Sequence, residues 1–579
     1  MFVSKYFICM SNWQFFFKGL LFLSVLLSTL FQSTTIEPYA TGDGIEYTLT
    51  TEAFYRHGSA SIRESDARDF KREHIRHKPW INNYKAVAFD DTHSYLKDPK
   101  AREYGGLYRT KNGQNFGHHF SFYSLLNTPA RVLTSILDIH PQYAFQITNA
   151  FLLLLTSFLL LFYFKLETWQ SIGLVLLVNF SAVYYYIGWS HPEIMTAVLL
   201  LLSLLFQREK KHVWAIFLMA LASLQNQPLL ILLIWLVLSA GYNEKWKIKN
   251  WIRNAFPALL FFLPSVFYFY YFGTTNLIKD AGYLDISNVT YTRFLGFFID
   301  LNQGMILSLN ILLIVYILLL VNRFWKAFTN QLKLSHEDFI PLLILILTFI
   351  VCMMSNWNHG MAIVNRYAVW IGILVIYHSI QLLCAYGLRI KSSIILVVFA
   401  MQCLFIKIHQ PYNNFDWCNN EHLPFAKWAL MKYPHLYNPD PQIFLLRTSK
   451  VFDVSVNNSP VFYTNKANGQ TQVLKVAVHE DGLNTLISYG LTLNQIKSIK
   501  TNFYPIAHWY YINDLPTLKK INMDHLELNR EKKEIDRIKK AIFNNLQWMK
   551  DIKKKAKLNN ISFEDQVEAD ARWYLYQQE

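Results

Sequence analysis

Charged residues are scarce in this chain. Asp, Glu, Lys and Arg make up 16% of its 579 residues, against about 25% in an ordinary soluble domain. From about Phe15 to His409 the charges gather in short clusters between long apolar runs. Hydrophobic residues reach 53%, and many of the runs approach the roughly 18–20 residues that span a bilayer, more than a soluble core absorbs. Cysteine is scarce too. Cys9, Cys352, Cys384 and Cys403 lie in or beside apolar segments and Cys418 stands alone in the polar tail, which excludes a disulfide framework and a CxxC metal site. A basic-aromatic array that would track a nucleic-acid strand is missing as well. The net charge of +15 therefore fits lysines and arginines that hold loops on the cytoplasmic side of a membrane.

What is present reads as a polytopic α-helical membrane protein of about eleven spans. The transmembrane domain covers residues 1–409, and a small soluble region, mixed α/β or mainly helical, covers residues 410–579. The first span, Phe15–Phe31, is a retained anchor rather than a signal peptide, because Phe31-Gln32-Ser33 is a poor small-x-small cleavage site. A long polar loop, residues 33–142, follows. Further spans are expected at Ala144–Phe164, Ser171–Gly188, Glu193–Phe206, Val213–Leu224, Pro228–Gly241, Ala255–Phe272, Gly304–Val321, Phe339–Met354, Ala368–Leu388 and Ser392–Ile408. In the tail, Phe444 to Phe462 and Gln472 to Val478 read as strands. Leu518 to Gln578 reads as helix with mixed charge on a solvated face.

Charge asymmetry sets the orientation. The loops around Arg208-Glu209-Lys210-Lys211, Lys245 to Arg253, Arg323 to Lys333 and Arg389 with Lys391 are basic. The loops at Gly188 to Glu193, Gln225-Asn226-Gln227 and Asn356 to Arg366 hold almost no Lys or Arg. This is the positive-inside pattern, with the N-terminus cytoplasmic and both the 33–142 loop and the tail on the outer face. The outer loops are also chemically unusual, with His, Trp, Asn, Gln, Gly and Pro grouped at span ends. Irregular polar backbone at that depth is tolerated where it lines a cavity, so a site is expected to open outward.

The first outer loop begins Tyr39-Ala40-Thr41-Gly42-Asp43-Gly44-Ile45-Glu46-Tyr47. One helical turn places Asp43 and Glu46 on one face, and the flanking glycines permit sharp turns and close approach to a ligand. A carboxylate at the membrane surface suits a general base for a hydroxyl or amine. The compatible alternative is that Asp43 caps a helix running through Tyr47 and Phe54. Further on, His118 and His119 lack a third partner at metal-ligand spacing, which favours a structural or substrate-contact role. Ser121 to Pro129 is amphipathic and aromatic, suited to lying in the interface. Other candidate contacts are His191 and Glu193, Gln225 and Asn226, Asn302 and Gln303, and Trp357 with His359. Arg366 is the one cation of its outer loop, and a guanidinium at headgroup depth fits a phosphate or simple snorkelling.

Taken together, these residues resemble the GT-C superfamily of membrane glycosyltransferases, which includes protein mannosyltransferases and the aminoarabinose transferases of lipid A. Gly42-Asp43-Gly44-Ile45-Glu46-Tyr47 is similar to the family's acidic motif in the first outer loop. Trp357 to Tyr367 resembles a late outer loop of bacterial members. Tyr433-Pro434-His435-Leu436-Tyr437-Asn438-Pro439 resembles the tail of bacterial relatives. The resemblance spans roughly Phe15 to Pro439. It departs from the family where Asp43 and Glu46 are a turn apart instead of adjacent, which leaves open which one acts. The Trp-Trp-Asp-Tyr-Gly signature of oligosaccharyltransferases is absent. The resemblance implies transfer of a sugar, with inversion, from a polyprenyl-phosphate-linked donor to an acceptor that is a protein, a lipid or a glycan. Asp43 or Glu46 would be catalytic and Arg366 would sit on the donor phosphate. No cofactor is called for; a divalent metal, used by some members, is not indicated. Lys-, Asn- and Ile-rich usage and the lack of processing signals favour a bacterial inner membrane. Two rivals remain. A lipid-linked-glycan flippase or transporter would bury ionisable residues at mid-bilayer, and the spans hold almost none. A non-catalytic assembly factor would use the tail to dock a partner and leave Asp43 dispensable.

Overall fold

The computed structural model describes residues 12–40, 42–77, 92, 94–98, 100–355, 357, 363–410, 421–449, 459–467, 470–502, 505–506, 508–519, 521, 535, 538–539, 542–543, 546–559 and 562–578. The chain divides into two compact units, one of Met1–Lys427 with Gln442–Phe452 and one of Trp428–Pro441 with Asp453–Glu579.

The first unit is mostly helical. Helix α1 (Asn12–Thr35) leads to α2 (Gly44–His57), α3 (Glu64–Arg76), a small antiparallel sheet of β1 (Glu103–Tyr104), β2 (Leu107–Arg109) and β3 (Asn115–Gly117), and α4 (Phe122–Ile136). After these come α5 (Tyr143–Phe158), α6 (Thr168–Asn179), α7 (Glu193–Arg208), α8 (His212–Gln225) and α9 (Leu230–Asn243). A composite helix α10 (Ile248–Phe272) follows, then α11 (Ile311–Phe328), α12 (Ile340–Cys352), α13 (Tyr367–Leu383) and α14 (Leu388–His409).

Among the described residues, five helices are long and apolar enough to cross a membrane: Trp13–Thr35, Tyr143–Tyr163, Ile248–Phe272, Ile311–Phe328 and Leu388–His409. The apolar segments at Thr168–Asn179, His212–Gln225, Gln227–Asn243 and Tyr367–Leu383 form shorter helices. Hydropathy alone misplaced some ends. The segment expected at Ser171–Gly188 breaks after Asn179 and resumes as a single turn, Val183–Tyr186. The segment expected from Gly304 becomes a long helix only at Ile311, because Asn310 takes a φ of 39° and its side chain accepts from the Ile311 N–H at 2.7 Å.

Burial separates these helices into two kinds. Helix α13 is enclosed by α6, α7, α11 and α12, with an unbroken buried run from Tyr367 to Ile380; a helix apolar all round belongs in such a position. Helices α10, α11 and α14 instead expose Phe256, Phe262, Val266, Phe269, Ile314, Ile317, Leu318, Leu396, Val397 and Leu404. Apolar surface on that scale is costly in water and ordinary against lipid.

The 33–142 loop forms a folded layer of its own. Helices α2, α3 and α4 are fastened by ion pairs: Arg131 of α4 binds Glu52 of α2 and Glu73 of α3, and Arg56 reaches Glu73 at 2.8 Å. Helix α4 turns Tyr123, Ser124, Asn127, Ala130 and Arg131 inward and leaves Leu125, Val132, Leu133 and Ile136 exposed, which is the amphipathic division read from its sequence.

The second unit holds an antiparallel sheet in the order β4 (Val461–Ala467), β5 (Gln470–His479), β6 (Trp509–Ile512). Val473, Val476 and Val478 of β5 pack with Leu483, Leu486, Ile496, Ile499 and Ile512. Helices Leu546–Asn559 and Phe563–Gln578 close the chain. The strand expected from Phe444 is instead a helix, Pro441–Ser449, which belongs almost wholly to the first unit and in which Ile443, Phe444, Leu445 and Leu446 are all buried. Four consecutive buried apolar residues suit an enclosed helix as well as a strand, which is why the run was ambiguous.

Candidate functional site

The backbone before α2 is held by a short parallel bridge between Tyr39 and Trp189. The Tyr39 N–H donates to Gly188 O at 2.9 Å and the Ser190 N–H donates to Tyr39 O at 3.1 Å. The approach is close enough to require glycine: a Cβ on Gly188 would lie 2.9 Å from Ile36 and 3.0 Å from Glu37 O. The two rings of the bridge stack, and the Trp189 ring stacks in turn on His191 at 4.0 Å. This clamp brings Asp43 beside His191.

Asp43 does occupy the N-cap position of α2, as its sequence context suggests, yet its side chain makes no capping bond. It turns instead to the start of α13, where Arg366 Nη1 donates to Asp43 Oδ2 at 3.0 Å across 323 residues of sequence. Arg366 is 4% exposed. It also donates to Tyr367 Oη at 2.9 Å, while its Nε has no hydrogen-bond partner among the described residues. Burial works against the cation, and Tyr367, Asp43 and Glu193 more than offset this, so Arg366 stays protonated. His191 Nε2 lies 3.1 Å from Arg366 Nη1. The same Nε2 lies 3.4 Å from Asp43 Oδ2, and Nδ1 lies 3.2 Å from Glu193 Oε1. Glu193 is 1% exposed, and neither of its oxygens meets a donor in good hydrogen-bond geometry.

Glu46 faces a different partner. The His118 N–H donates to its Oε2 at 2.7 Å, and its Oε1 meets His119 Nδ1. Glycines of the small sheet make room for it: a Cβ on Gly106 would come within 3.0 Å of Glu46 Oε2, and one on Gly117 within 3.4 Å. Burial raises the Glu46 carboxyl above its ordinary range, and the neighbouring His119 only partly restores it. For His119, burial pulls downward and the Glu46 carboxylate overcomes it, so the imidazole is raised. Its neighbour His118 is pushed down to about 3 by burial and by the adjacent His119. Tyr47 links the two halves of the cluster, with its ring 5.5 Å from His119 and 5.3 Å from His191.

Asp43, Glu46, His118, His119, His191, Glu193 and Arg366 thus fall into one cluster. The remaining candidates support it or lie apart. Gln225 accepts from the Tyr123 N–H and donates to Tyr47 Oη at 2.9 Å, which fixes the tyrosine between the histidines. Asn226 donates to Thr196 at 2.7 Å, tying α8 to α7. Asn302 receives the Leu423 N–H at 3.0 Å and lies 3.3 Å from His422, so it anchors the segment after α14. Gln303 is buried, and its carbonyl accepts from the Asn365 N–H at 2.8 Å beside Arg366. Trp357 is buried against Arg293 and Phe297 and acts as packing. His359 lies outside the described residues. Sequence reading did not find Tyr47, Tyr367 or the glycine-lined seat of Glu46; paired glycines ahead of His118 were the available signal.

Among the described residues no group of His, Cys, Asp and Glu is arranged to hold a metal ion. The fold and the cluster define a mostly helical protein with, among the described residues, five helices of membrane-crossing length and a largely buried acid–imidazole–guanidinium site. The chain matches no family model, no curated protein and no solved structure.

Proposed function

We propose that the protein is a GT-C-type glycosyltransferase that moves a sugar from a polyprenyl-phosphate-linked donor to an acceptor on the outer face of a membrane, with inversion. The observation that carries this reading is the 3.0 Å ion pair between the buried Arg366 and the partly exposed Asp43. It joins the acidic motif of the first loop to the one cation of the late loop. A guanidinium at a helix N-terminus opposes the helix dipole, whereas an anion is favoured there. The start of α13 is therefore suited to a phosphate shared between Arg366 and the helix end.

In this reading the donor phosphate competes with Asp43 for Arg366. Its arrival releases the carboxylate to hold the acceptor's hydroxyl or amine. The acceptor attacks the anomeric carbon, the bond from that carbon to the phosphate oxygen breaks, and Arg366 stabilises the charge that gathers on the leaving phosphate. A single displacement inverts the anomeric centre. The exposed apolar faces of α10, α11 and α14 fit a multi-pass protein that meets lipid, and the basic loops favour an N-terminus on the cytoplasmic side of a bacterial inner membrane with the tail outside. A transporter reading fits less well, because the ionisable groups cluster at helix ends instead of within the apolar runs.

The test is binding of undecaprenyl phosphate to the purified chain, measured by native mass spectrometry or tryptophan fluorescence. Arg366→Gln is expected to weaken binding roughly tenfold to a hundredfold, as for loss of one charged hydrogen-bonding partner. Arg366→Lys keeps the charge and loses the fork, and should fall between. Equal affinity in all three proteins would remove the phosphate role.

A further inference from the structure

Two carboxylates lie in the cluster, and their partners differ in kind. Asp43 is paired with a permanent cation. Glu46 is paired with an imidazole. An imidazole that donates Nδ1–H to a buried carboxylate is fixed in one tautomer and orientation, with a basic Nε2 on the opposite edge; this is the arrangement that makes histidine a general base in hydrolases. Glu46 is itself locked by the His118 N–H at 2.7 Å and by the close approach of Gly106 and Gly117. The His119 side chain keeps 13% of its surface exposed, against 2% for Glu46. Its Nε2 forms no hydrogen bond with any described residue.

We infer that His119 Nε2 is the proton acceptor for the incoming nucleophile and that Glu46 is its positioning residue. This rests on the glycosyl-transfer reading and divides the work of the two acids. Asp43 answers to Arg366 and the donor phosphate and, once freed, orients the acceptor without taking its proton. Glu46 answers to His119 and the acceptor. In the step, the acceptor O–H bond breaks and its proton goes to His119 Nε2. The acceptor oxygen bonds to the anomeric carbon. The electron pair of the broken carbon–oxygen bond leaves with the phosphate toward Arg366, and His119 then returns its proton to water. Among the described residues, the charged and titratable groups facing His119 are Glu46 and Tyr47 from α2, the Tyr47 ring at 5.5 Å, Asp43 ahead of them, His118 beside it, Arg366 from the start of α13, and His191, whose ring is 6.3 Å away.

The experiment uses the full chain in lipid nanodiscs, with undecaprenyl phosphate carrying a radiolabelled hexose as donor and water as surrogate acceptor. His119→Ala is expected to lower kcat by roughly a hundredfold or more, and added imidazole should restore part of the loss. Glu46→Gln should lower kcat less, leave KM unchanged, and move the acid limb of the pH profile downward, because the carboxylate that raises His119 is gone. The unmodified chain provides a measure independent of any substitution: its kcat/KM should fall in acid with a midpoint above the ordinary imidazole value of 6.5. Turnover by the unmodified chain together with an unaffected His119→Ala would overturn the proton-acceptor role alone. So would a loss that imidazole does not rescue, or a Glu46→Gln profile identical to the unmodified one. Failure of the unmodified chain to cleave the donor would count against the transferase reading and this assignment together.

Discussion

Arg366 sits where a cation is least welcome, at the first turn of α13 and away from bulk water. Asp43 supplies the compensating charge, and each of the two depends on a loop remote in sequence. A second buried group shows how acid would act on the same layer. The Gln142 N–H donates to His140 Nδ1, so His140 Nε2 carries the proton and donates to His74 Nδ1 at 2.9 Å. Burial, with the charges of His74, His77 and Arg131, holds His140 at about 3, far below its ordinary 6.5. The unfolded chain therefore takes up a proton near pH 6.5 that the folded chain refuses until near pH 3. This stabilisation is complete above the unfolded value and is lost as pH falls through that window, at up to about 1.4 kcal/mol per pH unit. His140→Asn should flatten the decline of melting temperature between about pH 7 and about pH 4; an unchanged slope would show that His140 titrates normally. At this scale the sequence supplied Asp43 and Arg366 because each was anomalous in its own loop. It did not reveal that Glu46 would meet His119 or that Trp357 and Asn302 would be packing and anchoring groups. Those outcomes depend on contacts between segments far apart, which no local spacing encodes.

The elements around the site are short and irregular, and buried ion pairs join them alongside small apolar clusters. Arg131 shows this best: it is 1% exposed and joins α4 to α2 and α3 through Glu52 and Glu73. Removing it leaves Glu52 buried without its main counter-charge, and burial already raises that carboxyl. Arg131→Ala should destabilise the layer by roughly 3–5 kcal/mol, seen as a lower melting temperature and faster proteolysis of α2 to α4; a change of a few tenths would mean that the pair contributes little. Long apolar runs were legible as helices because periodicity and composition agree there. The ends were less so, since Asn310 terminates one helix and starts another through a local backbone turn. The run at Ile443 to Leu446 is too short for periodicity to choose between helix and strand. The close seat of Glu46 depends on Gly106 and Gly117, and glycine marks a turn without showing what approaches it.

At the scale of the molecule, two features coincide. Helices α10, α11 and α14 of the first unit carry exposed apolar faces, and one polar cluster gathers groups from the first loop, the start of α7 and the start of α13. Charge asymmetry between loops implies that these three segments share one side of a membrane, and their direct contact is consistent with that implication. The second unit, Trp428–Pro441 with Asp453–Glu579, has its own sheet and core, and its bounds differ from the drop in hydropathy after His409. The measurement that bears most directly on the whole account is cleavage of a polyprenyl-phosphate-linked hexose by the purified full chain, alongside Asp43→Asn and Arg366→Gln proteins of matched melting temperature. The account predicts turnover by the unmodified chain and a loss of roughly a hundredfold or more in both variants. Equal turnover in all three proteins, or none in the unmodified chain, would contradict it.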